Sequence, residues 1–576
     1  MKKQIKLIII AALIISAISC SKGFLDYTPK GVLTSAQLNT PDNLDKMVIA
    51  AYASLGNDDW TYAFSHMWIW GSVRSDDAYK GGGSVGDQGE IDFLEQFVTL
   101  TTDGAKPNLV WIACFEGIGR ANDALQRIMA ADPATYPNQM AREAECRFLR
   151  GHWYFLLKEL FRKPPWIDES ITKDQIKLVP NNTLTNDQLW DKIAADFQFA
   201  VDNLPVNQTQ AGRANKVAAQ AYLAKVRLFQ AYEQNDQNAV ININATKLQQ
   251  VVDLTTAVIN SGKYDLNDDY AKNFLTPYDN SKESIFAVQF SYDDGTGSPG
   301  RTNKAAGLNY DMAPEFGCCD FHNPSQNMVS AFRTGTNGLP FFDTFNNVVI
   351  KDSIDFRTNS VDPRLDHTVG IATHPFKYIP TWIMKPSWRR APFVYGTFST
   401  MKEVTQYNDP TFRKYGAFMS SAMNFTVIRY DDVLLWKAEA LIELNRQAEA
   451  LPLINQVRTR AKNSTGLLKY SNGTPISNYN TQTYVDGVNC TWTKDYARKA
   501  LQFERRLEFG MEGARFFDLV RWGIAAETLN AYFAAEKNRF VFLAKANFAK
   551  GRDEYLYIPQ AQINLVNGIY DQNNGW

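Results

Sequence analysis

Histidine and cysteine are scarce in this chain, with five and six residues among 576. A metal centre built from imidazole and thiolate needs several of them converging at short spacings, and no CxxC pair occurs. No metal and no cofactor are expected. Cys20 closes the N-terminal leader, and Cys114, Cys146, Cys318, Cys319 and Cys490 form an odd set that argues against a disulfide framework. Cys318 and Cys319 are adjacent, and the sequence leaves open whether they are thiols or a bonded pair. An excess of one charge is also missing: 60 basic residues face 61 acidic ones, so nothing electrostatic points to nucleic acid. Beyond the N-terminus no stretch holds the roughly 18 consecutive apolar residues that a membrane-spanning helix requires.

What is present describes a folded protein. Apolar residues make up 45 % and charged residues 21 %, the composition of a globular chain. The length allows roughly three to four domains, or one fold spread along a helical array. Aromatic residues reach 13 %, with 13 Trp and 26 Tyr. Such rings either fill a core or stand as amphipathic plates, because indole and phenol combine a wide apolar face with a polar tip.

The leader "MKKQIKLIIIAALIISAISC" has a basic start at Lys2, Lys3 and Lys6, an apolar run, and small residues ending at Cys20. That order is a signal peptide over residues 1–19. A Cys preceded by small residues further suggests a bacterial lipoprotein, its Cys20 thiol acylated (a palmitate-type anchor) and first in the mature chain; Ala17 stands where a Leu is usual. An ordinary cleaved leader with an incidental Cys is the alternative.

Three stretches carry helical period: Leu189, Ile193, Phe197, Ala200, Val201 and Leu204; Ala218, Ala221, Tyr222, Lys225, Leu228, Phe229 and Tyr232; and Leu434, Leu435, Ala438, Leu441 and Ile442. Each predicts an amphipathic helix with one buried face. "RFLRGHWYFLLKELF" reads as a further helix, stopped by Pro164 and Pro165. "RYDDVLLWKAEALIELN" followed by "QAEALPLINQVRTRAK" is a helix–turn–helix of about 34 residues, the size of a tetratricopeptide unit. Between about residues 280 and 424 the period vanishes and Gly, Pro, Asn and Asp become dense, with short strands such as "SIFAVQFS". An irregular region of that length is usually functional. The expected fold class is therefore mostly α, with tetratricopeptide-like helix pairs and a long irregular, loop-rich region holding short strands. The expected organisation is one domain over 20–576: a helical part 20–280, an irregular ligand-binding part 281–424 and a helical part 425–576.

The chain resembles the SusD/RagB family of outer-membrane nutrient-binding lipoproteins. The likeness is carried by "FLDYTPKGVLT", "WIACFEGIGRANDALQRI", "RFLRGHWYFLLKELFRKPPWI", "VAAQAYLAKVRLF", "HNPSQNMVSAF", "DPRLDHTVG", "FTVIRYDDVLLWKAEALIELN", "ERRLEFGMEGARFFDLVRWG" and "YLYIPQAQINLVNG", in the family's order. The resemblance implies four repeat-like helix pairs and an irregular ligand-binding half. It implies a lipid-anchored, surface-facing protein of the outer membrane that binds oligosaccharide, or in some members peptide. It further implies delivery of that ligand to a SusC-like TonB-dependent transporter, with no enzymatic activity. The positions after Cys20 read "SKGFLD", so Asp26 is the first acidic residue behind the anchor.

Several residues invite a chemical reading. Glu504, Arg505, Arg506, Glu508 and Arg515 lie among apolar residues and are expected as buried ion pairs joining helices, as is Glu439, while Asp431 or Asp432 caps a helix start. "GGGSVG" fits both a nucleophile elbow and a dinucleotide loop, but the polar "RSDDAYK" before it lacks the buried strand that both need. His367 and His374, near Asp366, are too few for a metal. Sugars present apolar C–H faces and a rim of hydroxyls, so their binders combine aromatic plates with carboxylates and guanidinium groups. Two stretches have that mix. One, "DWTYAFSHMWIWGSVRSDDAYKGGG", offers Trp60, Arg74, Asp76, Asp77 and Tyr79, with Phe64, Trp68 and Trp70 on a helix and mostly core; the other, "HPFKYIPTWIMKPSWRRAPFVYG", offers Tyr378, Trp382, Trp388, Arg389 and Tyr395. A surface glycoside hydrolase is the rival reading, with Asp76 and Asp77 as an imaginable acid/base couple, but neighbouring carboxylates rarely flank one bond. A partner-binding helical repeat without a small ligand is the third.

Overall fold

The structure is a computed structural model and describes residues 35–576 together with Gln4. The leader and Cys20 lie outside the described residues. The main helices are α1 (Pro41–Ala53), α2 (Gly89–Gln96), α3 (Ala105–Met129), α4 (Gln139–Phe161), α5 (Asn186–Asn203), α6 (Lys216–Ala231), α7 (Ala245–Asn260), α8 (Tyr430–Glu443), α9 (Gln447–Asn463), α10 (Lys494–Phe509), α11 (Arg515–Arg521) and α12 (Ala525–Glu536). Short strands are β1 (Ala78–Gly81), β2 (Ser284–Val288), β3 (Phe321–Pro324), β4 (Arg413–Tyr415), β5 (Phe418–Ser420) and β6 (Phe425–Arg429). They form two-stranded antiparallel pieces: β1 with β3, β2 with β6, and the hairpin β4–β5.

The helices pack in series. From α3 to α9 each lies against the next, and α8 also touches α10. The contact between α7 and α8 is made although about 170 residues separate them in sequence, so the irregular region is a long excursion from one continuous helical array. Every position of the α5 stripe is buried, as is every position of the α8 stripe. On α6, Lys225 and Phe229 stay partly open while the rest of the stripe is buried. Thr185 starts α5 with a reciprocal capping box to Gln188. Helix α4 is covered on nearly all sides because α3, α5 and the C-terminal segment surround it; the Leu556 N–H donates to the Leu160 carbonyl at 2.8 Å.

The aromatic stretch behaves differently from its expected helix. Met67 takes a left-handed backbone, φ 50°, and a single π-helical turn covers Trp68–Val73. Gly71 in that turn abuts Gly513: a side chain on Gly71 would strike the Gly513 backbone, and one on Gly513 would strike His66 and Met67. Phe64, Trp68 and Trp70 are all core. The indole N–H of Trp68 donates to the Ala305 carbonyl at 3.1 Å and that of Trp70 to the Tyr62 carbonyl at 2.7 Å, so neither buried ring leaves a polar atom unsatisfied.

The excursion is fastened to the helices by buried charge. Arg364, wholly buried, forks onto Asp362 (2.9 Å) and reaches Glu504 (2.7 Å) and Glu508 (2.8 Å) on α10. Arg458 joins Glu504 at 2.8 Å, and Arg460 holds Glu283 at 2.8 Å together with Glu508. Arg429 pairs with Asp431 (2.9 Å) and Glu512 (3.1 Å), and Lys402 with Glu512 at 2.7 Å. Burial, against the pull of Arg429, raises the carboxyl of Asp431; although burial opposes it, Arg460 and Arg364 hold Glu508 well below the usual carboxylate range. A second buried set joins Arg521 and the Trp522 indole (3.0 Å) to Glu439, as expected for that residue.

Two predictions follow from these cores. Arg364→Ala strands the buried Asp362 and takes one guanidinium partner each from Glu504 and Glu508, an expected loss of about 3–5 kcal/mol; urea unfolding measures it, and Arg364→Lys recovers only part, since an ammonium cannot fork. Glu159 lines a pocket of about 100 Å³ beside Lys225 and Asp518. Burial, partly offset by Lys225, raises its carboxyl to about 7. A carboxyl raised in the folded state destabilises it progressively as pH climbs from the unfolded value, near 4.5, to about 7. Glu159→Gln is therefore expected to match the parent near pH 4 and exceed it by about 2–3 kcal/mol at pH 8, read from paired unfolding curves.

Candidate functional site

The two stretches chosen from composition are mostly drawn inside. Arg74 is buried, its guanidinium over the rings of Phe516 (4.3 Å) and Phe97 (5.3 Å) and donating to the Asp553 carbonyl at 3.0 Å. Asp76 takes a two-pronged bond from Arg515 (2.8 and 3.1 Å), and Asp77 takes one from Arg506 at 3.0 Å. Burial opposes ionisation of Asp76, but Arg506 and Arg515 lower its pKa to about 2. The Tyr79 hydroxyl donates to Glu536 at 2.6 Å from within the core. Arg389 is buried against Asp320 (2.9 Å) and Asn323 (3.0 Å), Tyr395 against Phe542 (5.0 Å between ring centres), and Tyr378 bonds His367 at 3.0 Å. Trp382, 8 % exposed, and Trp388, 5.0 Å apart, close a cluster with Phe316 and Phe376. These nine residues were expected at a ligand; all are buried, and none lies on an open face beside Trp60. The physical reason is distance along the chain, because the arginines that neutralise Asp76 and Asp77 arrive from α10 and α11, about 430 positions later.

Trp60 is different. It follows the Asp58–Asp59 loop and stays half-exposed. Its ring meets Phe418 on β5 at 5.3 Å, and Phe418 meets Tyr415 on β4 at 5.8 Å. Phe418 and Tyr415 are cross-strand partners on either side of a two-residue turn, Gly416–Ala417, in which Gly416 takes φ 62°. Two residues back on β4, Arg413 lies over exposed Tyr292 at 4.6 Å and pairs with Asp293. Lys106 stands 5.7 Å from the Trp60 ring and Lys304 5.6 Å from Tyr415, while the Asp59 backbone bridges to Lys304. A row of partly open rings, Trp60, Phe418, Tyr415 and Tyr292, is thus flanked by ammonium, guanidinium and carboxylate groups. Nearby in sequence, Tyr407 covers Trp382 at 4.7 Å with one face to solvent. Composition alone missed Tyr292, Tyr407, Tyr415 and Phe418. The signal for two of them was present in "KYGAF", two rings straddling a Gly turn.

The remaining motifs resolve into structure. The glycine-rich loop does follow a buried strand, β1, and precedes α2. Its carbonyls converge on Lys80, which donates to Ser84 (2.9 Å) and Asp87 (2.5 Å); a phosphate cradle needs the opposite polarity, N–H groups pointing inward. His374 pairs with Asp366 at 2.7 Å and His367 with the Ser464 carbonyl at 2.7 Å, so the two imidazoles serve separate contacts. Among the described residues, Glu283, Asp431 and Glu508 are spaced as cation ligands would be, but Arg460 and Arg429 occupy the position of the ion. Cys318 and Cys319 form a vicinal disulfide at the edge of the Trp382 cluster, and Cys114, Cys146 and Cys490 are free thiols.

Comparison with known proteins agrees with this architecture. A family model described as the SusD family matches residues 282–576, and one described as starch-binding associating with outer membrane matches residues 23–228. The chain is 22 % identical over 591 residues to a SusD-like protein of Formosa agariphila, covering 98 % of each. Its fold is similar to that of a SusD homologue of Bacteroides thetaiotaomicron, with a TM-score of 0.71 at 20 % identity over 94 % of this chain and 99 % of that one. It is also similar to surface glycan-binding protein A of the same organism in complex with laminarihexaose, with a TM-score of 0.65 at 21 % identity over 93 % and 100 %. A model spanning more than half of the described residues, an end-to-end relative and an end-to-end fold match converge: this chain belongs to the SusD family.

Proposed function

We propose that this protein is a glycan-binding lipoprotein of the outer membrane that holds oligosaccharide on the Trp60–Phe418–Tyr415 face and passes it to a SusC-like TonB-dependent transporter. The observation that carries the reading is the row of partly open rings flanked by charged hydrogen-bonders. Rings of this kind stack on the C–H faces of pyranoses while the rim meets the hydroxyls. The laminarihexaose complex named above is a member of the same fold class, and the family model at the N-terminal half carries a starch-binding description. Acylation at Cys20 would tether the body at the membrane, and no helix among the described residues is long and apolar enough to cross one. Tethering raises the effective concentration at a transporter, so individually weak sugar contacts suffice for uptake.

The protein acts as a binder, not a hydrolase, in this reading. Asp76 and Asp77, the one adjacent carboxylate couple in the first stretch, are buried and committed to Arg506 and Arg515. Glycoside hydrolysis needs two carboxyl groups flanking an accessible bond. A peptide ligand is the second reading, favoured by Lys304 and Arg413 beside the open rings, which suit carboxylates as well as hydroxyls.

Affinity electrophoresis and calorimetry against a polysaccharide panel that includes laminarin test the proposal. Trp60→Ala and Phe418→Ala are each expected to weaken glycan binding about tenfold or more, equivalent to about 1.4 kcal/mol. Trp382→Ala is expected to lower stability and leave affinity unchanged. Equal binding by Trp60→Ala and the parent overturns the site. In cells, Cys20→Ala is expected to abolish labelling by palmitate and release the protein from the membrane fraction; a labelled Cys20→Ala protein overturns the anchor.

A further inference from the structure

A cleft of about 730 Å³ opens between the 342–347 segment and helices α10, α11 and α12. It shares no lining residue with the Trp60 face. The volume lies within the range of small-ligand sites, roughly 300–1,000 Å³. One wall is aromatic: Phe342 and Phe345, both half-open, each lie 5.5 Å from Phe503 on α10. The floor is polar and incompletely satisfied. The hydroxyl of Tyr532, a residue 4 % exposed, has no hydrogen-bond partner. Arg515 commits Nε and Nη2 to Asp76. A buried hydroxyl left unpaired is costly, and native structures pair such groups with protein, water or ligand.

Charge decides the ligand class. Arg506, Arg515 and Lys499 line the cleft together with Asp76, Asp343 and Glu527. Lys499 is paired with Asp343 at 2.8 Å, and the two arginines with Asp76. No net charge is left to select a phosphate or an amine. A neutral, polyhydroxylated ring suits this lining, which offers the rings of Phe342 and Phe345 to a C–H face and Tyr532, Arg515 and Gln502 to hydroxyls.

We infer that this cleft is a second carbohydrate site, which holds one or two neutral sugar units apart from the Trp60 face. The inference rests on the glycan-binding reading for its ligand class and on the cleft's own geometry for its place. Two sites on one body engage two parts of a long chain, and the second contact gains from the effective concentration set by the first.

The probes are D-glucose, D-galactose, D-mannose, D-xylose and laminarihexaose, followed by saturation-transfer NMR on the full mature chain. Three variants accompany the parent: Trp60→Ala, the double variant Phe345→Ala/Gln502→Ala, and Thr528→Trp, which fills the cleft from the partly open side of α12. Phe345, Gln502 and Thr528 are partly solvent-exposed, and coincident thermal unfolding confirms that each variant folds. The expected result is a sugar signal that persists in Trp60→Ala and drops at least fivefold in both cleft variants. A signal that survives both cleft variants, or no signal that persists in Trp60→Ala, overturns the second site. The two readings fail separately: panel binding lost in Trp60→Ala without any cleft signal removes only the second site. A cleft signal without any loss of panel binding in Trp60→Ala removes only the Trp60 face.

Discussion

The lattice of arginines and carboxylates under α8, α9 and α10 is the constraint on which the remainder depends. Arg364, Arg429, Arg458 and Arg460 are buried, and each must lie within reach of a carboxylate, because an isolated buried charge costs several kcal/mol. Their partners come from separate parts of the chain: Glu283 and Asp362 from the irregular excursion, Asp431 from α8, Glu504 and Glu508 from α10. One geometry brings every one of them within ion-pair distance of a carboxylate. That shared solution positions about 145 residues of loop and short strand against a helical array that makes few ladder contacts with them.

The same rule explains why polar segments with the composition of a ligand rim are drawn inside. Asp76 and Asp77 end β1's approach to the core, where Arg506 and Arg515 meet them. Arg74 finds two phenyl faces and a carbonyl. Once these groups are paired inside, the surface available to a ligand is set by what the excursion leaves outside. The β4–β5 hairpin is too short to bury both faces of its side chains, so Tyr415 and Phe418 remain partly open, and Trp60 comes to lie beside them. The cleft beneath Phe345 has a related origin. The paired Asp76 and Arg515 lie in its lining between the 342–347 segment and helices α11 and α12.

Sequence periodicity by itself determined the helical array. The stripes on α5, α6 and α8 count residues at the spacing of one helix face, a property internal to each segment, and their burial follows wherever the segment packs. The ion-paired fate of Glu439, Glu504 and Glu508 was legible for a similar reason: charges embedded in an apolar run have no route to water. The strand at Ser284–Val288 and the half-open position of Trp60 after an acidic loop were equally local.

Only tertiary structure decided which aromatic and charged residues face solvent. A stretch such as "SVRSDDAYK" has the composition of a surface loop, and its burial depends on arginines about 430 positions away that no local pattern can announce. Trp382 and Trp388 likewise sit in a loop by sequence, yet Phe316 and Phe376 close over them. The ring face and the cleft are each assembled from segments far apart in the chain, Trp60 with Phe418 and Phe345 with Tyr532. Residue type fixes what a side chain can bind, but the three-dimensional meeting of distant segments fixes whether it is free to do so.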